Sequence, residues 1–440
     1  MSSTDPFKDY KTKHLVLLIG ENPLPNYVAA MKLLEEKSKV YLVHTNQTIA
    51  QKNRLMKALK KKGFSSQEVP LDNDHTDDNK SNAYKIYNIV QQYLKDIPLR
   101  ERIGLHYTGG TNTMAVHTYR AISDLKRSDT VYSYLDARTL EIFIDTSESE
   151  PFHRGVQLEV SLKDLFNLHN YEFKLAPRSQ PILPDVAAEL VRIYQDKNEQ
   201  VAQTWRKWSN THQYNNYGEL KKAKDLETGY WKSEEDLSNI SLNLSALHPE
   251  CINVLVNKLE ASRNLNQLSL RITKQKGFDS CKQVCEWLGG IWLEHYVLSE
   301  VQEIAKNKNL QIGESQMSFL MKINKDKIYR EVNFEFDVAF MRHYQLFAIS
   351  CTTSKDPKEC KLKLFEAYTR AKQLGGDEAR VALVCCCDND ETKDITLDIY
   401  LKSQLEGAVN NPKIAVFLRK DLQNIRIGIA DWIERNKGKS

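Results

Sequence analysis

The sequence predicts an α/β protein in three parts: a parallel-sheet domain over residues 1–170, a helical connector over 171–275 and a second, compact α/β domain over 276–440. Three observations carry that expectation. At 440 residues the chain is longer than one hydrophobic core normally organises. Its first third alternates strand-length apolar runs with helical apolar spacing, the pattern of repeated β-loop-α units. Beyond Pro177, Pro181 and Pro184 the spacing becomes helical alone, and strand patterns return only after the Cys281–Ala305 helix.

The elements follow in order. His14–Ile19 (HLVLLI) is continuously apolar, as a strand buried on both faces requires. Gly20-Glu21-Asn22 turns the chain into a helix starting near Pro23, with Val28, Met31, Leu33 and Leu34 on its apolar side. Val40–Val43 is the next strand, and His44-Thr45-Asn46 leads into a helix rich in lysine and arginine. Val69-Pro70-Leu71 reads as an edge strand, because proline cannot donate to a ladder. A helix over Ala83–Leu94 and a strand over Ile103–Tyr107 follow. The loop Thr108-Gly109-Gly110-Thr111-Asn112 then opens a helix through Met114 and Tyr119. Val131–Leu135 and Leu140–Ile144 form a hairpin. Right-handed crossovers make this a Rossmann-like three-layer domain.

In the middle segment Val186–Gln203 and Ile252–Leu259 are helical, whereas Asn210–Asn216 and Leu226–Leu242 show no period. The last part reads as helix Cys281–Ala305, strands Val332–Phe340 and Gln345–Ser350, helix Lys361–Leu374 and strand Arg380–Cys386, closed by one more strand and helix.

Composition narrows the class. A hydrophobic fraction of 41% and a charged fraction of 27% are those of an ordinary soluble protein. No apolar run approaches the ~20 residues that cross a bilayer, and Met1–Pro6 lacks the basic flank of a secretory signal, so a cytoplasmic location is expected. The 8 cysteines include the consecutive Cys385, Cys386 and Cys387 at the end of an apolar strand, and Cys281 and Cys285 one helical turn apart. With no CxxC spacing, reduced thiols are expected. A net charge of +4 permits nucleic-acid contact without arguing for it.

Gly20-Glu21-Asn22, Thr45-Asn46 and Thr108–Asn112 fall at the carboxyl ends of parallel strands, the usual ligand edge. Paired glycines let a ligand approach the backbone, and helix-start N–H groups favour phosphate. The spacing is neither GxGxxG nor a P-loop.

His106–Met114 (HYTGGTNTM) together with Gly20–Pro25 (GENPLP) resembles a CARF domain, the CRISPR-associated Rossmann-like sensor of cyclic oligoadenylates. Within that group the chain is similar to the CARF–nuclease fusions of type III CRISPR systems that respond to cyclic tetra-adenylate. Leu293-Glu294, Glu335-Phe336-Asp337 and Leu374–Leu383 (LGGDEARVAL) extend the likeness, so it covers residues 1–165 and 280–390. The resemblance implies a symmetric homodimer with the ring ligand across its axis. It implies ligand contacts from Thr45, Thr108, Gly109, Gly110, Thr111 and Asn112, with Asn22 joining them and Glu21 turned away or reading an adenine amine.

The second domain resembles PD-(D/E)XK nucleases, in which a carboxylate cluster holds Mg²⁺ or Mn²⁺. Glu335 and Asp337, at i and i+2 of a strand, share a face, leaving Phe334, Phe336 and Val338 for the opposite one. Glu294, in an otherwise apolar helix, fits the helical acid such enzymes add. The likeness implies metal ligation by Glu294 and Asp337. The chain departs from the family where E-x-K is usual and Ser350-Cys351-Thr352 stands instead. Lys361, Lys363 and Glu366 on the next helix, or Lys355 before it, are the candidate substitutes.

Trp205-Arg206-Lys207-Trp208, Tyr214, Tyr217 and Tyr230-Trp231-Lys232 interleave aromatics with cations. They either stack on unpaired bases or form the buried side of the connector. The expectation is a messenger-gated, metal-dependent nuclease acting on single-stranded RNA or DNA. Its rivals are a catalytically degenerate cyclic oligoadenylate-binding regulator and a ring nuclease that degrades the messenger.

Overall fold

The computed structural model describes residues 5–72, 82–146, 150–174, 176–195, 199–210, 218–323, 334–388, 395–406 and 411–438. Two sheets organise it. The first is built from β1 (Thr12–Leu18), α1 (Leu24–Leu33), β2 (Leu34–His44), α2 (Ile49–Lys61), β3 (Ser65–Pro70), α3 (Ala83–Leu94), β4 (Ile103–His106), α4 (Asn112–Ser123), β5 (Val131–Asp136), β6 (Glu141–Ile144) and β7 (Phe152–Gly155). Its order is β3-β2-β1-β4-β5-β6-β7. Pairing is parallel from β3 to β5 and antiparallel from β5 to β7. The proline-bearing strand lies at the edge, as its missing donor dictates. Helices cover both faces: Leu24, Val28 and Leu55 from α1 and α2 on one, Ile86, Val90 and Met114 from α3 and α4 on the other.

The chain then crosses over. α5 (Leu162–Leu168) leads to β8 (Tyr171–Phe173), which pairs at the edge of the second sheet. The middle segment supplies α6 (Pro184–Gln195), α7 (Glu199–Trp208), α8 (Glu234–Ser238), β9 (Ser241–Asn243), α9 (Pro249–Leu259), β10 (Gln267–Ser269) and α10 (Leu270–Lys274); β9 and β10 pair as a small ribbon. The helix expected over Cys281–Ala305 is interrupted. α11 (Cys281–Glu286) passes through a π-helical turn at Trp287–Ile291 before α12 (Trp292–Ala305). Gly290 has φ +153° there and backs onto Thr353, a conformation and a closeness that a side chain would oppose.

The second sheet comprises β11 (Ile312–Ile323), β12 (Phe334–Arg342), β13 (Gln345–Thr352), then α13 (Pro357–Gly375), β14 (Arg380–Cys385), α14 (Leu397–Glu406), β15 (Ile414–Phe417) and α15 (Ile425–Arg435). Its order is β15-β14-β13-β12-β11-β8, antiparallel from β8 to β13 and parallel from β13 to β15. Residues 332 and 333 of the expected strand, residues 211–216 of the aperiodic stretch, and Tyr214 and Tyr217 lie outside the described residues.

Both faces of this sheet are buried. Val338, Phe340, Phe347 and Ile349 pack against Trp205, Trp287, Trp292 and Trp432. Helices on both sides of residue 275 share that core, so the middle segment is a layer on the second sheet rather than a bridge between two bodies. Of the two readings of its aromatics, Trp205 and Trp208 follow the buried one. Trp205 and Trp208 are fully buried, and the Trp208 indole donates to the Asn243 carbonyl at 2.7 Å. Tyr230 alone of the described group is largely exposed, at 77%. All eight cysteines are free and buried. Among the described residues no helix is long and apolar enough to cross a membrane.

Trp208→Ala would leave a large cavity and an unpaired carbonyl in this layer. It is expected to lower stability by about 3–5 kcal/mol, read from urea unfolding midpoints.

Candidate functional site

Two places gather the sequence-predicted residues. The first is a cleft of about 1060 Å³ at the carboxyl ends of β1, β2 and β4. Asn22, Thr45, Thr108, Gly109, Gly110 and Thr111 line it, as do Gln47, Gln51 and Arg54. Asn112 does not; it is exposed on the first turn of α4. Close backbone packing shapes this wall. Gly109 has φ +114°, and a Cβ there would lie 2.4 Å from the Leu18 carbonyl oxygen. Thr111 caps α4, its Oγ1 accepting from Met114 N at 3.2 Å, and Thr48 Oγ1 accepts from Thr45 N at 3.2 Å. Two helix starts thus direct N–H groups and partial positive charge at the cleft. Thr108 Oγ1 accepts from Leu135 N at 2.7 Å, fixing the loop to β5. Asn22 Oδ1 accepts from Leu24 N at 3.0 Å and lies 3.2 Å from His169 Nε2. Burial pushes the His169 imidazole down to about 4, so it is neutral at physiological pH.

The opposite wall comes from the second domain, which sequence reasoning missed. Tyr368, Thr369, Lys372 and Gln373 of α13 and the turn Gly376–Glu378 face the CARF-like loops. Gly376, at φ +59°, sits so close to Asn22 that a Cβ would meet its amide nitrogen at 2.0 Å. Lys372 Nζ lies 3.7 Å from Asp377 and 5.7 Å from the centre of the Tyr368 ring. Glu378 is only 3% exposed although it lines the cleft. Burial pushes its carboxyl up to about 7, with Asp377 adding to the effect and its own backbone amide, Arg380 and Lys413 opposing it.

The second place is the inner end of β12 and β13. Asp337 is buried, and its Oδ2 accepts from Ser350 Oγ at 2.8 Å and from Cys351 N at 2.7 Å. Ser350, at the position of a family acid, therefore orients Asp337 rather than adding charge. Burial pushes the Asp337 carboxyl up; the Lys363 ammonium and those two hydrogen bonds oppose the rise, and Glu366 adds to it. Burial pushes the Cys351 thiol up, and the charges of Asp337 and Glu294 add to the rise while Lys363 opposes it. Glu294 Oε2 accepts from Ser318 Oγ at 2.7 Å. Ser318 has φ +46° and lies opposite Asp337 in the β11–β12 register. Alternation breaks there: Phe336 joins the core on the first-domain side and Val338 the core on the helical side, so the two do not share a face as expected.

The candidate lysines separate. The Lys363 charge acts on Asp337, whereas Lys361 Nζ bonds Gln404 Oε1 at 3.0 Å near the Tyr400 ring. Positions two apart on a helix project about 200° apart, so one helix cannot aim both at the strands. Lys355 pairs with Glu199 at 2.5 Å and lies 3.8 Å from Asp388. The Glu335 side chain lies outside what the structure describes. Among the described residues no group of three candidate ligands could hold a metal. The carboxylate oxygens of Asp337 and Glu294 nonetheless suit a hard divalent cation by their chemistry.

Glu378 gives a pH signature. Its folded carboxyl titrates at about 7 rather than its ordinary 4.5, so folding is favoured while it stays protonated. That contribution is lost as pH rises from the lower value through the higher. Glu378→Gln is expected to melt at progressively higher temperature than the parent as pH rises from 5 to 8, by an amount on the order of 3 kcal/mol at the top. Thermal melts across that range test it; a constant difference would contradict it.

Residues 14–164 match the family model of the Card1 CARF domain. No curated protein matches the chain. Among solved structures, protein VC1899 from Vibrio cholerae superposes with a TM-score of 0.71 at 15% identity, over 97% of this chain and 99% of that one. Can2 from Sulfobacillus thermosulfidooxidans, solved in complex with cyclic tetra-adenylate, superposes at 0.64 with 14% identity, over 96% and 99%. At these identities the likeness is one of fold, and it spans both sheets. The residues matched, 14–164, include those that build the glycine-lined wall of the cleft.

Proposed function

We propose that this chain is a cytoplasmic, homodimeric nuclease of type III CRISPR defence, switched on by cyclic tetra-adenylate. In this reading residues 1–170 sense the messenger, and the remainder carries the cutting site and its helical layer. The observation that carries it is the placing of two acids on neighbouring elements, Asp337 held by Ser350 and the Cys351 amide and Glu294 held by Ser318 of the strand paired with that of Asp337, in a chain whose other sheet matches a CARF domain. Can2, of the same fold, was solved in complex with cyclic tetra-adenylate, which supports that activator here.

The division of labour follows from the side chains. Glu294 and Asp337 would hold Mg²⁺ or Mn²⁺, with Glu335 the third acid on the strand; the ion, when bound, supplies water activation and charge neutralisation. Ser350 and the Cys351 amide hold Asp337 in one rotamer, and Ser318 does the same for Glu294. Lys363 places its ammonium where a phosphate gains negative charge in the transition state. In this reading a single strand of RNA or DNA is the substrate. Messenger binding favours the arrangement of the second domain that cuts, in proportion to its differential affinity for that arrangement.

Asp337→Asn should lower messenger-dependent cleavage of single-stranded RNA and DNA about 10²-fold or more, a loss of ~2.7 kcal/mol at the transition state, and chelation should do the same. Messenger binding without any cleavage in the parent chain would instead identify a regulator, and loss of the messenger itself a ring nuclease. In the cleft, Gly109→Ala forces a side chain into a left-handed position against Leu18. Affinity for cyclic tetra-adenylate, measured by calorimetry, should fall about tenfold, in keeping with strain of 1–3 kcal/mol. Unchanged affinity would remove the glycine loop from the binding site.

A further inference from the structure

The two walls of the cleft differ in polarity. The CARF wall presents helix starts: Thr111 at α4, and the turn that Thr45 opens ahead of α2. Backbone N–H groups there attract anions. The facing wall presents the carboxyl end of α13, where carbonyl groups carry partial negative charge, followed by Asp377 and Glu378. Lys372 stands beside Asp377, and Gln373 brings an amide whose Oε1 accepts from Arg370 Nη1 at 3.2 Å and keeps a second lone pair for a ligand. A phosphodiester against this second wall would meet like charge. An exocyclic amine would meet acceptors.

Glu378 is the second observation. Its side chain is buried and lines the cleft, and it takes a hydrogen bond from its own backbone amide. A carboxyl buried at the rim of a cleft loses hydration that a ligand donor restores.

We propose that Glu378 and Gln373 form the base-reading edge of the ligand site, pairing the adenine amino group while the CARF loops opposite take the phosphates. The proposal rests on the activator reading above and adds to it the origin of base selectivity, which it places on the second domain. Adenine offers an amine donor beside a ring-nitrogen acceptor. A carboxyl in its neutral form, or a carboxamide, matches that pair with one acceptor and one donor. Arg370 Nη1 donates to Gln373 Oε1 at 3.2 Å and so keeps that oxygen in the acceptor position; hypoxanthine, the base of inosine, puts a carbonyl where adenine has the amine and there faces acceptor with acceptor.

The experiment uses the full-length chain and two ring ligands, cyclic tetra-adenylate and cyclic tetra-inosinate, titrated by calorimetry. The parent should prefer the adenylate ring by about thirtyfold, the range of one or two buried hydrogen bonds. Glu378→Ala and Gln373→Ala should each cut that preference about tenfold, mainly by weakening the adenylate ring. Glu378→Gln should keep the preference, because the amide retains one donor and one acceptor. Since each variant is scored as a ratio of two ligands, a general loss of folding does not imitate the result. Equal affinity of the parent for both rings, or a preference that survives Glu378→Ala and Gln373→Ala, overturns the proposal. Binding of neither ring by the parent overturns the activator reading itself, a separate outcome.

Discussion

Met321, Phe336, Ala339, Met341, Leu346 and Ala348 point from one face of the second sheet into the same apolar core as Leu15, Leu17, Tyr27 and Leu55 of the first domain. Phe166 on α5 stacks 6.2 Å from Phe336, tying the crossover segment to both. Burial on this scale is the dominant favourable term in folding, and interiors this closely packed do not deform continuously. The consequence is geometric. With α5 and β8 woven into the shared core, the CARF-like loops and the end of α13 are held face to face across the cleft.

The acidic site obeys a different constraint. A buried carboxylate needs partners, and Asp337 receives them from Ser350 and the Cys351 amide, the positions where the likeness led one to look for charge. The left-handed Ser318 opposite it breaks the alternation of β12 and turns a hydroxyl toward Glu294. An irregular position in an otherwise regular strand pair is a common device for aiming side chains. Here it lets one acid on a helix and one on a strand share a neighbour.

Much of the first sheet was legible in the sequence because buried parallel strands read as unbroken apolar runs, as His14–Ile19 does, and because α3 has a clean period over Ala83–Leu94. The edge position of Pro70 followed from its missing donor. β7 escaped because FHRG carries one apolar residue, and β8 because three residues give no period. β11 was overlooked although Met317, Phe319, Met321 and Ile323 alternate in plain view. The π-helical turn was foreshadowed only by the Gly289-Gly290 pair. Of the candidate site, the CARF-like loops, Glu294 and Asp337 were named from motifs, and Lys363 only as one of several candidate substitutes for an absent lysine. Lys361 could not be told from Lys363 without knowing which side of α13 packs on the strands. The second wall of the cleft was illegible, since Gln373 and Glu378 meet Asn22 only through tertiary packing more than 350 residues along the chain.

α13 runs 19 residues, about 28 Å, without interruption, and touches both places described above. Its far end edges the cleft at Thr369, Lys372 and Gln373, and its near end carries Lys363, whose charge acts on Asp337. A helix of this length behaves as a rod on the scale of a single turn, with Cys360, Leu364, Ala367 and Ala371 seating it on the sheet. A tilt of a few degrees at one end therefore displaces the other by an ångström or more, and an ammonium moved that far from a carboxylate has changed its chemistry.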